Sequence, residues 1–315
     1  MHMHWKLKAH ALAVLSRIPG GRSAYHALQK QLGTNRLNLT ESLGRTAELF
    51  GMIRAAGLDL EDKTVVEVGT GWRPLVPMFL YLAGARRIHT YDVNPWLDLA
   101  YVREASAAVG ARLADVADRL DLDEAAVRER FAAARCQQND LRAVLQAMRI
   151  DYHCPGDAGA TGLPAQSVDA VVSTNVLEHV YPHDLRRIHL ESKRILAPGG
   201  VAAHRVDVSD HFVAVDQGIT AGNFLQFSPA AWNWYGGSGL SYHNRLRCSD
   251  QVRLMEEAGL HVAENRTRVH EPTLCAIQDG TLPVDAAFAG YADEDLAGSF
   301  LWMTGLAEPV ASACH

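Results

Sequence analysis

Apolar positions along this chain recur every three to four residues in some stretches and form unbroken β-branched runs in others, so helices and buried strands can be told apart. Trp5, Leu12, Leu15 and Ile18 fall at helical spacing with Lys6, Lys8, His10 and Arg17 largely elsewhere, and Pro19-Gly20-Gly21 stops the pattern. An amphipathic helix is predicted within residues 1–22, packed on the domain or on another subunit, or else attached to a membrane surface. A second helical pattern covers 39–56. Val65, Val66 and Val68 then make a short strand ending in Gly69 and Gly71, Pro74 opens a helix over 75–83 that Gly84 ends, and residues 88–91 form a second strand closing on Asp92.

The next strand signal waits until Ile150, so 103–149 reads as an alanine-rich helical insertion, with Asp123 as N-cap before E-A-A-V-R-E-R-F. A lid, an oligomer contact and plain decoration of the core are all open for it. Strands are predicted at 150–153, 168–174 and 201–208, with a helix over 182–196 that turns back through Pro198-Gly199-Gly200. Ser249 is expected to cap a helix that runs to about Ala258, and strands at 261–269 and in the closing S-F-L-W-M-T-G are expected to end the sheet as an antiparallel hairpin.

A length of 315 residues suits one large α/β domain with elaborations. With 21% charged residues and a net charge of -6, no basic field argues for nucleic acid. Cys136, Cys154, Cys248, Cys275 and Cys314 are scattered with no C-x-x-C pair, so neither a disulfide framework nor a zinc site is signalled and a reducing cytoplasm fits. Without eighteen consecutive apolar residues, integral membrane association is not expected, and the start lacks a cleavage-type leader. Met1-His2-Met3-His4 could grip a metal, but flexible terminal histidines usually do not.

Asp92 lies 21 residues beyond Gly71, a distance that suits a carboxylate accepting hydrogen bonds from a ribose diol beside a glycine turn. A G-x-G-x-x-G fingerprint would need glycine where Pro74 stands, which argues against a pyrophosphate cradle and a nicotinamide dehydrogenase. The spacing E-x-G-x-G in Glu67, Gly69 and Gly71, followed by Asp92, resembles the class I S-adenosylmethionine-dependent methyltransferases, with Arg73 in place of the family's third glycine. Asp157 and Ala158, the segment V-L-E-H-V and the P-G-G turn extend the resemblance over 64–208. Residues 242–260 resemble, more weakly, bacterial methyltransferases encoded with polysaccharide and natural-product genes.

The resemblance implies an α/β fold: a three-layer Rossmann-like sheet of mostly parallel strands with a terminal antiparallel strand, plus helical additions. Residues 1–60 would be an N-terminal helical extension and 61–315 the methyltransferase-like domain, with insertions at about 103–149 and 209–247. S-adenosylmethionine is the implied cofactor, held by Glu67, Gly69, Thr70, Gly71, Trp72, Asp92, Val93, Asp157, Ala158 and Asn175. Within that set Asp157 would take the adenine amino group.

In that family the loop after the strand at 201–208 faces the methyl donor, which makes Asp207, Asp210 and His211 the catalytic candidates for orienting or deprotonating an acceptor. Strand alternation puts His204 with Val206 and Val208, on the other face from Asp207. His211 stays open as base, ligand or bystander. Asp and His also bind divalent cations, but the spacing is not diagnostic and no metal is assigned. Glu178 and His179 are open between catalysis and structure, Trp232, Trp234 and Tyr235 between a lid and a subdomain core, and Arg245 and Arg247 between an anion site and surface salt bridges. The expected reaction is methyl transfer to an oxygen, ahead of nitrogen, of a small molecule or glycan, in a biosynthetic setting. The alternatives are non-methyl chemistry on the same cofactor, such as cyclisation to azetidine-2-carboxylate with release of methylthioadenosine, and an inactive nucleoside-binding module. A homodimer is left open.

Overall fold

Strand β1 (Thr64–Val68) is buried at every position, as its valine-rich sequence requires of a parallel strand covered on both faces. Its partners on either side are β2 (Arg87–Tyr91), with Val65 level with Ile88, and β4 (Val168–Thr174), with Val65 level with Ala170. The sheet has seven strands in the order β3-β2-β1-β4-β5-β7-β6, with β3 at Ile150–His153, β5 at Leu196–Asp207, β6 at His261–Val269 and β7 at Gly298–Leu306. β1 to β5 run parallel, and β7 runs antiparallel to both β5 and β6. This computed structural model describes residues 4–32, 36–134, 139–240 and 242–307. Met1, His2, Met3, Cys136 and Cys314, named from the sequence, lie outside them.

Two apolar layers sandwich the sheet. On one face α3 (Leu39–Ala55), α4 (Leu75–Leu82), α5 (Leu99–Gly110), α6 (Leu113–Leu120), α7 (Glu124–Ala133) and α8 (Leu141–Ala147) pack around Phe50, Phe79, Ile88 and Trp302. On the other, α9 (Pro182–Ile195) and α11 (Cys248–Glu257) cover Val66, Val171, Val206 and Met303. The insertion therefore thickens one layer: Val116, Leu120, Val127 and Val144 join its core, and Arg130 ties α7 to α4 through the carbonyl of Leu82 at 2.8 Å. Asp123 caps α7 as its sequence predicts, accepting from the Ala126 amide at 2.8 Å.

A third cluster stands apart from the sheet. It joins Trp5 and Ala9 of α1 (Trp5–Leu15) to Phe212, Phe224 and Trp232, the last on α10 (Pro229–Gly236). The Trp5 amide also donates to Asp216 at 3.1 Å, so α1 is fastened to the segment after β5. Trp232 is core, while Trp234 is half-exposed. Among the described residues no helix is long and apolar enough to cross a membrane.

Three local expectations need correction. Pairing in β5 starts at Leu196, opposite Val168, so the Pro198-Gly199-Gly200 turn is a bulge inside the strand. Helix α11 starts at Cys248, ahead of the expected cap, with the Arg247 amide bonded to the Asp250 carboxylate at 3.0 Å. Ser249 instead donates its amide to Asp295 at 3.1 Å. Arg245 and Arg247 form no surface salt bridge among the described residues: Arg247 is fully buried and donates to the carbonyls of Val208 and Leu296, and the half-buried Arg245 donates to those of Phe224 and Phe227.

Helix α3, grouped by sequence with the N-terminal extension, is bolted to the sheet. Glu48 accepts from Arg205 Nε of β5 and from Trp302 Nε1 of β7, both at 2.9 Å. Removing that carboxylate leaves a nearly buried guanidinium without its counter-charge. Glu48→Ala is expected to destabilise the fold by about 1.5–3 kcal/mol, the scale of hydrogen bonds to charged groups. Urea unfolding measures it, and a change below about 0.5 kcal/mol contradicts the assignment.

Candidate active site

Five parallel strands end on one edge, and the loops that leave that edge carry nearly all of the named candidates. After β1 the chain turns through Gly69 and Gly71, both at positive φ. Their roles differ. A Cβ on Gly69 would meet Val176 Cγ2 at 2.4 Å, whereas one on Gly71 would meet nothing within 4 Å, so the second glycine presents open backbone to the edge. Asp92, at the end of β2, joins the two loops: its Oδ2 accepts from the Gly71 amide and its Oδ1 from the Asn94 amide, each at 2.8 Å. A carboxylate offers about four lone-pair sites, so both oxygens retain capacity for hydroxyl donors.

Beneath this turn runs a buried polar chain, Thr70 Oγ1 to Thr90 Oγ1 at 2.5 Å and Thr90 Oγ1 to Glu67 Oε2 at 2.5 Å. Trp72 stacks on Trp96 from the next loop, with ring centroids 4.8 Å apart, and Val93 is exposed on the rim. Asp157 is half-exposed, accepts from the Gly159 amide at 2.7 Å and pairs with Arg187 at 2.5 Å. Its neighbour Ala158 packs on the core below. Asn175 ends β4 in a left-handed conformation and accepts from the Arg205 guanidinium. Tyr152, not singled out by sequence, places a buried hydroxyl without a good partner in the surroundings of Asp92. These residues fit a nucleoside: open glycine backbone and a carboxylate with spare acceptors in one neighbourhood.

Further along the edge, the sequence candidates divide. His211 Nε2 lies 3.7 Å from Asp207 Oδ2. Asp210 is buried one layer deeper, where it accepts from the Phe212 amide at 2.8 Å and from Asn223 Nδ2 at 2.9 Å. Burial raises its pKa to about 6 against those two bonds. Burial and the neighbouring His179 lower His211 to about 4, so its imidazole is neutral at physiological pH. His204 lies in the core, bonded to Ser173 Oγ at 2.8 Å, and burial holds it well below the ordinary range.

Glu178 and His179 complete this cluster, which sequence spacing alone did not assemble. They sit on a short turn after β4, Leu177–His179, with Glu178 buried and its pKa pushed well upward by desolvation. The His179 and His211 rings are 4.9 Å apart, and His243 stacks on His211 at the same spacing. Asn244 clamps the turn: its amide donates to the Glu178 carbonyl at 2.7 Å and its side chain to the carbonyls of Leu177 and Val180. The run Tyr242-His243-Asn244 was the available sign, a polar triplet placed just before a helix. His243 also lines a cavity of about 400 Å³, together with Trp232, Tyr242, Asn244, Arg245 and Tyr291 among others.

Residues 97–204 match the family model described as a methyltransferase domain. The matched segment is similar to that family, and the strand order fits the fold of the class I S-adenosylmethionine-dependent methyltransferases. Similar solved structures include an S-adenosylmethionine-dependent methyltransferase from Mesorhizobium loti, 14% identical over 82% of this chain and 97% of that one, with a TM-score of 0.44. The [4+2]-cyclase SpnF is 16% identical over 86% and 84%, with a TM-score of 0.46. A TehB-like methyltransferase from Corynebacterium glutamicum is 11% identical over 92% and 99%, with a TM-score of 0.42. No curated protein matches the chain.

Burial pushes Glu67 up to about 8, against the lowering bond from Thr90 and with a further rise from Asp92, so at neutral pH it is mostly the neutral acid. A group whose folded pKa exceeds its unfolded value of 4.5 contributes its full stability below 4.5 and loses it as pH climbs through about 8. Glu67→Gln mimics the neutral acid at every pH. The melting temperature of the variant minus that of the wild type should therefore increase from about pH 5 to about pH 9; a flat or falling difference means that Glu67 is ionised in the fold.

Proposed function

We propose that this chain transfers the methyl group of S-adenosylmethionine to an oxygen, ahead of a nitrogen, of a small molecule or glycan. The observation that carries the proposal is the Asp92 carboxylate bridging the Gly71 and Asn94 amides beside open glycine backbone, on the same sheet edge as the Asp207 and His211 pair. Asp92 would hold the ribose hydroxyls, and the Gly69 to Trp72 backbone would line the amino-acid end. Val93, Asp157 and Ala158 would border the adenine, with Asn175 closing the floor and Glu67 bracing the turn from below. Bound there, S-adenosylmethionine supplies a methyl group already activated on a sulfonium, so the protein's task is alignment of a nucleophile and removal of its proton.

Asp207 and His211 are assigned to the acceptor. A neutral imidazole with its Nε2 unengaged accepts a proton or a hydrogen bond from an attacking hydroxyl, and the carboxylate 3.7 Å away supports the positive charge that results. Asp210 holds the turn on which His211 sits, and the cavity lined by His243, whose ring stacks on His211, would give an acceptor room.

Calorimetry with S-adenosylmethionine tests the first half. Asp92→Ala, if folded, should weaken binding by about 1.5–3 kcal/mol, and unchanged affinity refutes the role. For the second half, Asp207→Asn or His211→Ala should lower turnover about 10²-fold with cofactor affinity nearly intact. Product analysis decides the chemistry: S-adenosylhomocysteine means methyl transfer, methylthioadenosine means attack on the aminobutyryl arm, and neither, despite tight binding, means an inactive module.

A further inference from the structure

Three potential ligand atoms, one each from the Glu178 carboxylate, the His179 ring and the His211 ring, lie within 4.8 Å of one another. We propose that they form a binding site for a first-row divalent metal ion such as Mn²⁺, Fe²⁺, Co²⁺ or Zn²⁺. Two independent observations point to a ligand. Both oxygens of Glu178, a residue only 2% exposed, lack a hydrogen-bond partner of good geometry, with only the backbone amides of Glu178 itself and Asp207 close by, and the buried Nε2 of His211 has none. A bound cation compensates the charge of a carboxylate buried in that condition, and two neighbouring imidazoles suit the same cation.

The second observation concerns orientation. His179 Nδ1 sits 2.8 Å from the Tyr242 carbonyl, which has only lone pairs to offer. Nδ1 must therefore carry the proton, and Nε2 is left with a free lone pair. Fixing the tautomer through the outer nitrogen is how proteins aim a metal-binding histidine. Asn244 immobilises the carbonyls of Leu177, Glu178 and Val180 on the same turn, so both ligands on it are presented from a rigid support.

Two imidazoles and one carboxylate select transition ions over Mg²⁺ and Ca²⁺, which favour oxygen alone. Bonds of roughly 2.0–2.2 Å hold ligand atoms about 3–4 Å apart, so the set must close by about 1 Å, within reach of the exposed His179 ring. Three protein ligands leave positions open. With the ion bound, His211 Nε2 is a ligand and no longer takes the acceptor's proton; an acceptor oxygen on the ion would instead have its own pKa lowered, a consequence that rests on the methyl-transfer proposal, whereas ion binding itself does not.

The test uses the full chain, stripped with chelator and titrated with Co²⁺ in the absence of S-adenosylmethionine. One equivalent should bind with visible ligand-field absorption. Glu178→Gln and His179→Ala should each weaken binding at least about tenfold. The exposed His179 provides a variant expected to fold, checked by circular dichroism, and a chain with His2 and His4 replaced by alanine should bind as the wild type does. Absence of stoichiometric binding, binding by Glu178→Gln and His179→Ala as tight as that of the wild type, or loss of binding when only His2 and His4 are replaced each overturns the site. S-adenosylmethionine affinity, measured separately on the stripped protein, reports on the methyl-transfer proposal independently.

Discussion

Parallel strands cannot be joined by tight turns, so every connection among β1 to β5 must cross a face of the sheet and re-enter at the opposite edge. That constraint buries the strands on both sides and sends the loops with freedom to vary to one edge. The glycine turn, Asp92, Asp157, Asn175, Glu178 and Asp207 are brought together by this geometry although they span more than a hundred residues of sequence. At each strand end the exposed amides need acceptors, and several of the named side chains serve that need as well. Asp92 is the clearest case, a carboxylate that locks two loops by taking one amide from each.

The parts of the structure legible in the sequence are those governed by local rules. β-branched runs, glycines at positive φ and the Asp123 cap follow from backbone sterics and from nearby hydrogen bonds. Alternation along β5 also holds, which is why His204 could be assigned to the core side and is found bonded to Ser173. Misplaced features depended on distant partners. Ser249 had the chemistry of a cap, but Asp295 claims it from 46 residues away. Arg247 looked like a surface cation, yet the carbonyls of Val208 and Leu296, far off in sequence, draw it inside.

The same reasoning explains why the Glu178, His179 and His211 group escaped detection. Its members come from two loops, and their orientation is set by a third segment at 242–244. No spacing rule connects residues held together only by the order of β4 and β5 in the sheet. An unsatisfied buried carboxylate is likewise invisible until its surroundings are known, because any glutamate beside a strand end has the same one-dimensional signature.

The link from Glu48 to Arg205, and from Arg205 to Asn175, has a consequence for how such a domain can be exchanged between genes. Asn175 closes β4 at the site, and its partner is steadied by a helix that precedes the first strand. A recombination junction at residue 60 would look harmless in sequence, yet it would deliver a sheet carrying an arginine whose counter-charge stayed behind. The heritable unit therefore includes α3 and, through Trp5 of α1 packed on Phe212 and Trp232, reaches back past α2 (Gly21–Leu32).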